Sequence, residues 1–281
     1  MKTIGFIDYY LSEWHANNYP AWIEKACRET GLAYRVAYAW GEVDVSPVDG
    51  RTSEEWCRAF GVERCATIEE VCEKSDVLLV LAPSNPEKHL PYAEKVLPYG
   101  KPVYIDKTFA PDHVTAEKIF ALAAQYGTPF FSTSAMRYAE ELLPLAGAKK
   151  LITTGGGFTV EEYLIHQAEM IVSLWKAPAV RACVFRQGMQ DVCLAEGPDG
   201  RQAAVIFAEK TPYTVSAEGA DGAPRYAAIE SPYFEHLLAA ILRFYESGRP
   251  DFDGRETLYV MGMRDLILRA RETPGVWVTA E

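Results

Sequence analysis

The chain has 281 residues, 49% of them apolar and 24% charged, with a formal net charge of −11. That composition is ordinary for a folded protein long enough for two domains. The negative balance argues against docking on nucleic acid or on anionic lipid, which both call for a basic surface, and no apolar run approaches the roughly 20 residues of a membrane span. The six cysteines include no C-x-x-C pair and no metal-ligand spacing, so reduced thiols and no metal site are expected. The opening MKTIGFI runs straight into a strand with no secretory pattern, and a cytoplasmic location is expected on that ground.

Ile4 to Ile7 reads as a first strand. In a dinucleotide-binding fold a glycine fingerprint follows such a strand, because glycines make the tight turn and let backbone N–H groups approach the pyrophosphate. Here no glycine stands between Gly5 and Gly31; the segment offers two carboxylates, Asp8 and Glu13, and the bulky Tyr9, Tyr10 and Trp14. At about 4–6 Å and an effective dielectric near 20, each like-charge contact with a phosphate costs on the order of 3–4 kcal/mol before screening. Either a dinucleotide binds here in a changed pose or the pocket has lost it, and the three aromatics alternatively pack over the end of the sheet. The next helix is expected to start at Pro20, with Trp22, Ile23, Ala26 and Cys27 as its buried stripe and Gly31 as its stop. Tyr34 to Ala39 is a second strand, followed by Glu42 and Asp44 in a loop. Ser53 to Phe60 and Thr67 to Cys72 read as short capped helices.

Val77 to Leu81 is an unbroken apolar run, the pattern of a strand buried on both faces. Ala82 to Glu87 is a turn-rich loop, His89 to Leu97 has apolar positions at helical spacing, and Gly100 closes that helix. Lys101 to Ile105 forms the next strand and ends at Asp106-Lys107-Thr108. A unit of this kind closes as a right-handed parallel crossover, and ligands in open parallel sheets sit beyond the carboxyl ends of the strands. Ser84-Asn85 and Asp106-Lys107 both fall at such ends. Pro111 to Tyr126 reads as a helix and Pro129 to Phe131 as a last strand, which completes an alternating half and puts a domain boundary at 133.

The stretch from 76 to 110 resembles the Gfo/Idh/MocA family of glucose–fructose oxidoreductase and inositol dehydrogenase. Its members typically read "hydrophobic strand, TP-x-x-x-H, helix, GKHV-x-x-EKP-x-A"; this chain has Ala82-Pro-Ser-Asn85, His89, Gly100-Lys-Pro-Val103 and Asp106-Lys-Thr-Phe-Ala110. The resemblance continues through Arg137, His166 and the segment YFEHLLAAILRFYESGRPDF, and it rests on order and spacing rather than on one motif. It implies a Rossmann-like N-terminal domain with a parallel sheet (1–133) and a smaller α+β domain with a mostly antiparallel sheet (134–281) for substrate and oligomerisation. It also implies NAD or NADP as cofactor, with Asp8, Tyr9, Ser84, Asn85, His89, Asp106 and Lys107 as cofactor-binding positions and Glu42 or Asp44 as loosely placed candidates for the ribose.

The second half has the strand-and-turn pattern of an antiparallel sheet between residues 179 and 217. Glu162 to Leu174, Tyr233 to Tyr245 and Leu258 to Arg271 read as helices, and Val276 to Val278 as a final strand. Gly155-Gly-Gly157 reads as a bulge or turn rather than a phosphate cradle. By the resemblance, Lys107 matches the motif's lysine and His166 its histidine, while Glu162 stands four residues earlier on the same helical face. A carboxylate beside an imidazole orients it and favours its protonated form, so His166 is expected as base, Glu162 as its orienter, Lys107 as donor to the substrate hydroxyl and Arg137 near the substrate. Thr108 replaces the motif's proline, which leaves the isomer of the Lys107–Thr108 bond open. Two functions stand side by side: an NAD(P)-dependent oxidoreductase acting on a sugar, polyol or related small hydroxy compound, and a descendant that has lost cofactor binding and serves as a binding or regulatory subunit. A homo-oligomer formed through the C-terminal domain is expected with either.

Overall fold

A computed structural model describes every residue except Met189, Ala220 and Glu281. The chain divides into two units, Met1–Thr133 with Phe234–Gly254, and Ser134–Tyr233 with Arg255–Glu281.

The first unit holds six strands: β1 (Lys2–Asp8), β2 (Tyr34–Gly41), β3 (Glu63–Arg64), β4 (Val77–Val80), β5 (Val103–Ile105) and β6 (Phe130–Phe131). They are ordered β3-β2-β1-β4-β5-β6, and every pair is parallel. Its helices are α1 (Trp14–Thr30), α2 (Ser53–Phe60), α3 (Ile68–Lys74), α4 (His89–Val96) and α5 (His113–Tyr126). The central β4 is buried along its whole length, as its apolar run requires. Helix starts follow short polar caps: Thr52 with Glu55 makes a full capping box on α2, Thr67 caps α3 and Asp112 caps α5. Gly31, Gly61 and Gly127 end α1, α2 and α5 in the left-handed conformation that an L side chain disfavours.

Two features differ from the sequence-based expectation. Helix α1 begins at Trp14, not Pro20, and Pro20 lies inside it. The cause is Glu13, whose side chain caps the first turn; glutamate is not among the short residues that signal a helix start. The second feature is α7 (Tyr233–Ser247), whose residues from Phe234 on group with the first unit although they fall within the expected 134–281 domain. Tyr245 donates its hydroxyl to the Leu78 carbonyl at 2.8 Å, Tyr34 donates to Glu246 at 2.7 Å, and Lys25 pairs with Glu235.

The second unit contains β7 (Lys150–Gly155), α6 (Val160–Trp175), β8 (Arg181–Gln187), β9 (Gln190–Glu196), β10 (Gln202–Ala208), β11 (Thr214–Glu218), β12 (Pro224–Ala228), α8 (Arg255–Glu272) and β13 (Val278–Thr279). Its sheet runs β12-β11-β7-β10-β9-β8-β13 and is antiparallel except where β7 and β10 pair in parallel. Helices α6 and α8 pack on each other, with α6 on β7 and β10 and α8 on β8. Gln167 of α6 is fully buried and fastens that helix to the sheet: Thr153 donates to its Oε1 at 2.6 Å, and its Nε2 donates to the Gly155 and Ile206 carbonyls. No helix among the described residues is long and apolar enough to cross a membrane.

Gly5 lets α3 lie directly on β1, because a Cβ there would sit 2.4 Å from both Ser75 Oγ and Val71 Cγ1. Overpacking of this kind costs about 1–3 kcal/mol, so Gly5→Ala is expected to lower the urea midpoint by a corresponding amount with the m-value unchanged.

Candidate active site

In the first unit the strand order reverses direction between β1 and β4, and ligands of open α/β sheets bind beyond the carboxyl ends at such a point. Asp8 ends β1 there and is 1% exposed. Its Oδ1 accepts the N–H of Tyr9 at 2.7 Å and that of Ala82 at 2.9 Å, so one carboxylate oxygen ties the end of β1 to the residue beyond β4. Ala82 has a φ of 57°, a left-handed conformation uncommon for a residue with a Cβ. Asp8 Oδ2 has no hydrogen-bond partner among the described residues. Burial, then the charge of Glu13, push the Asp8 carboxyl well above its usual value, against the two backbone donors that favour its ionised form.

Glu13, 5% exposed, turns back over the start of α1 and accepts the N–H groups of His15, at 2.8 Å, and Ala16. The same carboxylate stands 3.1 Å from His15 Nδ1, while His15 Nε2 lies 3.8 Å from Asp106 Oδ2. Asp106 is 1% exposed; its Oδ1 accepts from the Tyr104 hydroxyl at 3.1 Å, and its Oδ2 has no hydrogen-bond partner among the described residues. Burial, and the carboxylates Asp106 and Glu13 beside it, push the Tyr19 phenol well above its usual value. The loop is tied down as well: Val43 donates to the Tyr9 carbonyl at 2.7 Å, Ser12 to Asp49 at 2.8 Å, and Leu11 is buried. These residues do not fit a pyrophosphate at the N-terminus of α1. The first-turn N–H groups it would use already hold the Glu13 carboxylate, and the buried acids Asp8 and Asp106 stand nearby.

The ends of β4 and β5 carry the other sequence-predicted positions. Lys107 follows Asp106, is 9% exposed and directs Nζ toward the Pro83 carbonyl at 3.5 Å. The Lys107–Thr108 peptide bond is cis. Ser84 is exposed and Asn85 half-buried, with Asn85 Nδ2 donating to Glu87 at 3.0 Å. His89 is fully buried with Nδ1 3.0 Å from the Phe109 carbonyl and Nε2 against the Leu81 carbonyl, so both ring nitrogens are engaged by main chain. Burial pulls its pKa down despite those acceptors. Tyr9 is half-buried with Lys88 Nζ 5.0 Å above its ring. Glu42 pairs with Lys88 and accepts from the Tyr92 hydroxyl at 2.7 Å; burial raises its pKa, but these partners outweigh it and leave the carboxyl below its usual value. Asp44 pairs with Arg64 at 2.9 Å. All six cysteines are free, and burial pushes the Cys57 and Cys72 thiols up to about 12. Among the described residues no cluster of His, Cys, Asp or Glu is arranged to hold a metal ion.

His166, Glu162 and Arg137 belong to the second unit. His166 is 8% exposed, with Nδ1 2.7 Å from Ser134 Oγ. The rings of Tyr163 and Tyr213 flank it at centroid distances of 5.8 and 5.6 Å. The triple glycine explains their position: a Cβ on Gly155 would sit 2.2 Å from the Tyr213 ring, and one on Gly157 2.2 Å from the Tyr163 ring. Glu162 lies in the first turn of α6, half-buried, its N–H donated to the capping Thr159 Oγ1. The Arg137 guanidinium is buried between Glu169 and Glu256, each at 2.7 Å. Glu169 also accepts the Ser134 N–H at 3.0 Å, so Arg137 braces the segment that presents Ser134 to His166.

Sequence reasoning missed His15, Tyr19 and Ser134. A His two residues after Glu13 is the one signal that pointed to the first; nothing local marks the other two, which are brought in by the fold.

The family model described as "Oxidoreductase family, NAD-binding Rossmann fold" (Gfo/Idh/MocA) matches residues 42–134. The uncharacterized oxidoreductase YhhX of Escherichia coli (strain K12) is 33% identical over 88 residues, which is 31% of this chain and 25% of that protein. The match therefore spans a quarter of that relative's length. Among solved structures, apo scyllo-inositol dehydrogenase from Lactobacillus casei superposes with a TM-score of 0.78 at 11% identity, covering 99% of this chain and 98% of its own. UDP-N-acetylglucosamine 3-dehydrogenase GnnA from Acidithiobacillus ferrooxidans gives 0.75 at 12% identity, covering 96% and 97%. At such identities the likeness is one of fold: a Rossmann-like parallel sheet followed by a mostly antiparallel one.

Because the Asp8 pKa is raised in the folded state, its contribution to stability is fully present below the ordinary carboxylate value, about 4, and is lost as pH rises through the raised one. Asp8→Asn retains the accepting oxygen without the charge. Scanning calorimetry is expected to show a higher unfolding midpoint for the variant at about pH 8, with the gain vanishing as pH falls to about 4.

Proposed function

We propose that this chain, whose residues 42–134 match the Gfo/Idh/MocA oxidoreductases, is an oxidoreductase acting on a sugar, a polyol or a related small hydroxy compound. The observation that carries the proposal is Lys107, a lysine withdrawn from water at the carboxyl end of β5 inside the family-matched stretch. An ammonium in that position donates to an alcohol oxygen and stabilises the negative charge that grows as the hydroxyl proton departs. His166, held through Nδ1 by Ser134, is the proposed proton acceptor. Glu162 is its proposed orienting carboxylate, and Arg137 is proposed to support the substrate side by fixing Ser134. The substrate class draws support from the names of the solved neighbours, a scyllo-inositol dehydrogenase and a nucleotide-sugar dehydrogenase. NAD or NADP is the proposed electron carrier, since the matched family is NAD-binding; Ser84, Asn85, Asp106 and Lys107 are its proposed contacts.

The Glu13 cap favours a second reading, a descendant that kept the fold and serves as a binding or regulatory subunit. The two separate on turnover. Oxidation of inositols or free sugars with millimolar NAD or NADP supports the first; no turnover, together with no NADH or NADPH fluorescence change, supports the second. In an active preparation, Lys107→Met is expected to lower kcat by about 10²–10³-fold, and wild-type kcat in that variant would rule Lys107 out as the hydroxyl's donor.

A homo-oligomer through the second unit is also proposed. Ser216, Ile152, Ala204 and Leu194 stand side by side in register across β11, β7, β10 and β9, and line one depression with Trp277. Ile152, Leu194 and Trp277 are 47%, 40% and 40% exposed, an apolar row suited to a second copy of the same face. Sedimentation velocity is expected to give a dimer or larger species, and Leu194→Glu a monomer of unchanged helicity.

A further inference from the structure

We infer that Glu13 is an internal occupant of the position a dinucleotide's pyrophosphate takes in Rossmann folds, and that it sets this chain against binding such a group at the N-terminus of α1. The inference goes beyond the oxidoreductase reading and takes the identity of the excluded ligand from the NAD-binding family that the chain matches. In a dinucleotide site the turn after the first strand leaves the first N–H groups of the following helix open to phosphate oxygens, which the helix dipole favours. Here the same donors, the N–H groups of His15 and Ala16, end on the two carboxylate oxygens of Glu13. The carboxylate supplies the negative charge and acceptor oxygens that a phosphate would bring. It is also nearly out of water, at 5% exposure, so an incoming anion meets it unscreened.

Three further observations make the substitution thorough. Asp106, just past β5, is 1% exposed and places a second acid behind the helix end, while Asp8, equally buried and pushed toward its neutral form, fills the ground beside it. His15 lies between Glu13 and Asp106, at 3.1 and 3.8 Å, its ring and its own N–H both on the Glu13 Oε2. The Tyr9–Glu13 loop is bonded down onto the segment after β2, through Tyr9 to Val43 and Ser12 to Asp49 and Ser46, which closes the approach that glycines elsewhere leave open. The family match begins at residue 42, beyond this loop. A dinucleotide that binds this chain displaces Glu13 or leaves its pyrophosphate away from α1, and Glu13 is the residue that decides between them.

The test uses the whole protein and two variants. Glu13→Gln keeps the shape and one accepting oxygen; Glu13→Ser keeps a capping oxygen of the favoured kind and removes both bulk and charge. Calorimetric titration with inorganic pyrophosphate, ADP-ribose and adenosine reads binding without any dependence on turnover. The expected result is a gain of about tenfold or more in affinity for pyrophosphate and ADP-ribose, larger for Ser than for Gln, with adenosine unchanged. Circular dichroism confirms that both variants remain folded. A wild-type chain that binds pyrophosphate as tightly as the variants, or variants that gain nothing, silence in all three included, overturns the inference. A gain in affinity without any dehydrogenase activity would leave it standing while removing the oxidoreductase reading.

Discussion

The carboxyl ends of β1 and β4 are joined by one oxygen of one side chain, and the local architecture follows from that bond. Asp8 Oδ1 takes the N–H groups of Tyr9 and Ala82, which fixes both where the first strand stops and how the chain leaves the fourth. Ala82, in its left-handed conformation, then opens the loop that carries Ser84 and Asn85. An interior carboxylate is costly when its second oxygen is left without a donor and other acids stand near it. The chain reduces that cost by favouring the protonated form of Asp8 rather than by supplying a cation.

This arrangement makes the first unit uneven along the carboxyl edge of its sheet. On the β5 side a withdrawn lysine follows an acid, and a buried histidine locks the loop after β4 to the segment after β5 through Leu81 and Phe109. On the β1 side the glycine turn is replaced by a bulky loop whose own carboxylate caps the helix. Both sides are well-formed structure. The β1 side is therefore built around a different anion, one the chain carries itself, rather than merely degraded.

In the second unit the polar interior has a different logic. Arg137 is held between Glu169 and Glu256, and Glu169 in turn holds the Ser134 N–H. Burial alone would lower the guanidinium's pKa, but the two carboxylates more than offset it and keep the group charged. The pairing costs solvation and returns position: it fixes Ser134, whose hydroxyl meets His166. Gly155 and Gly157 serve the same centre by letting two tyrosine rings lie on bare backbone beside the imidazole.

Local pattern was enough for most elements. The apolar run at Val77–Leu81 is long enough and unmixed enough to require burial on both faces, and glycines at 31, 61 and 127 end helices because only they adopt the required φ at no cost. The order of the motifs from residue 76 to 110 was legible because it depends on neighbours in sequence. The start of α1 was not, since Glu13 becomes a cap only by folding back over the helix, and a long carboxylate has no local signature for doing so. Nor was the partner of α7: an amphipathic stripe states that a face will be buried and not against which sheet. Amino-acid order by itself determined the alternation of strands and helices, the absent glycine turn and the presence of three acids and a lysine near strand ends. Only the tertiary structure decided that Glu13 sits on the helix N-terminus, that Asp8 spans two strands and that Ser134 meets His166, because each joins groups whose separation in space is set by how sheets and helices pack rather than by the distance between them along the chain.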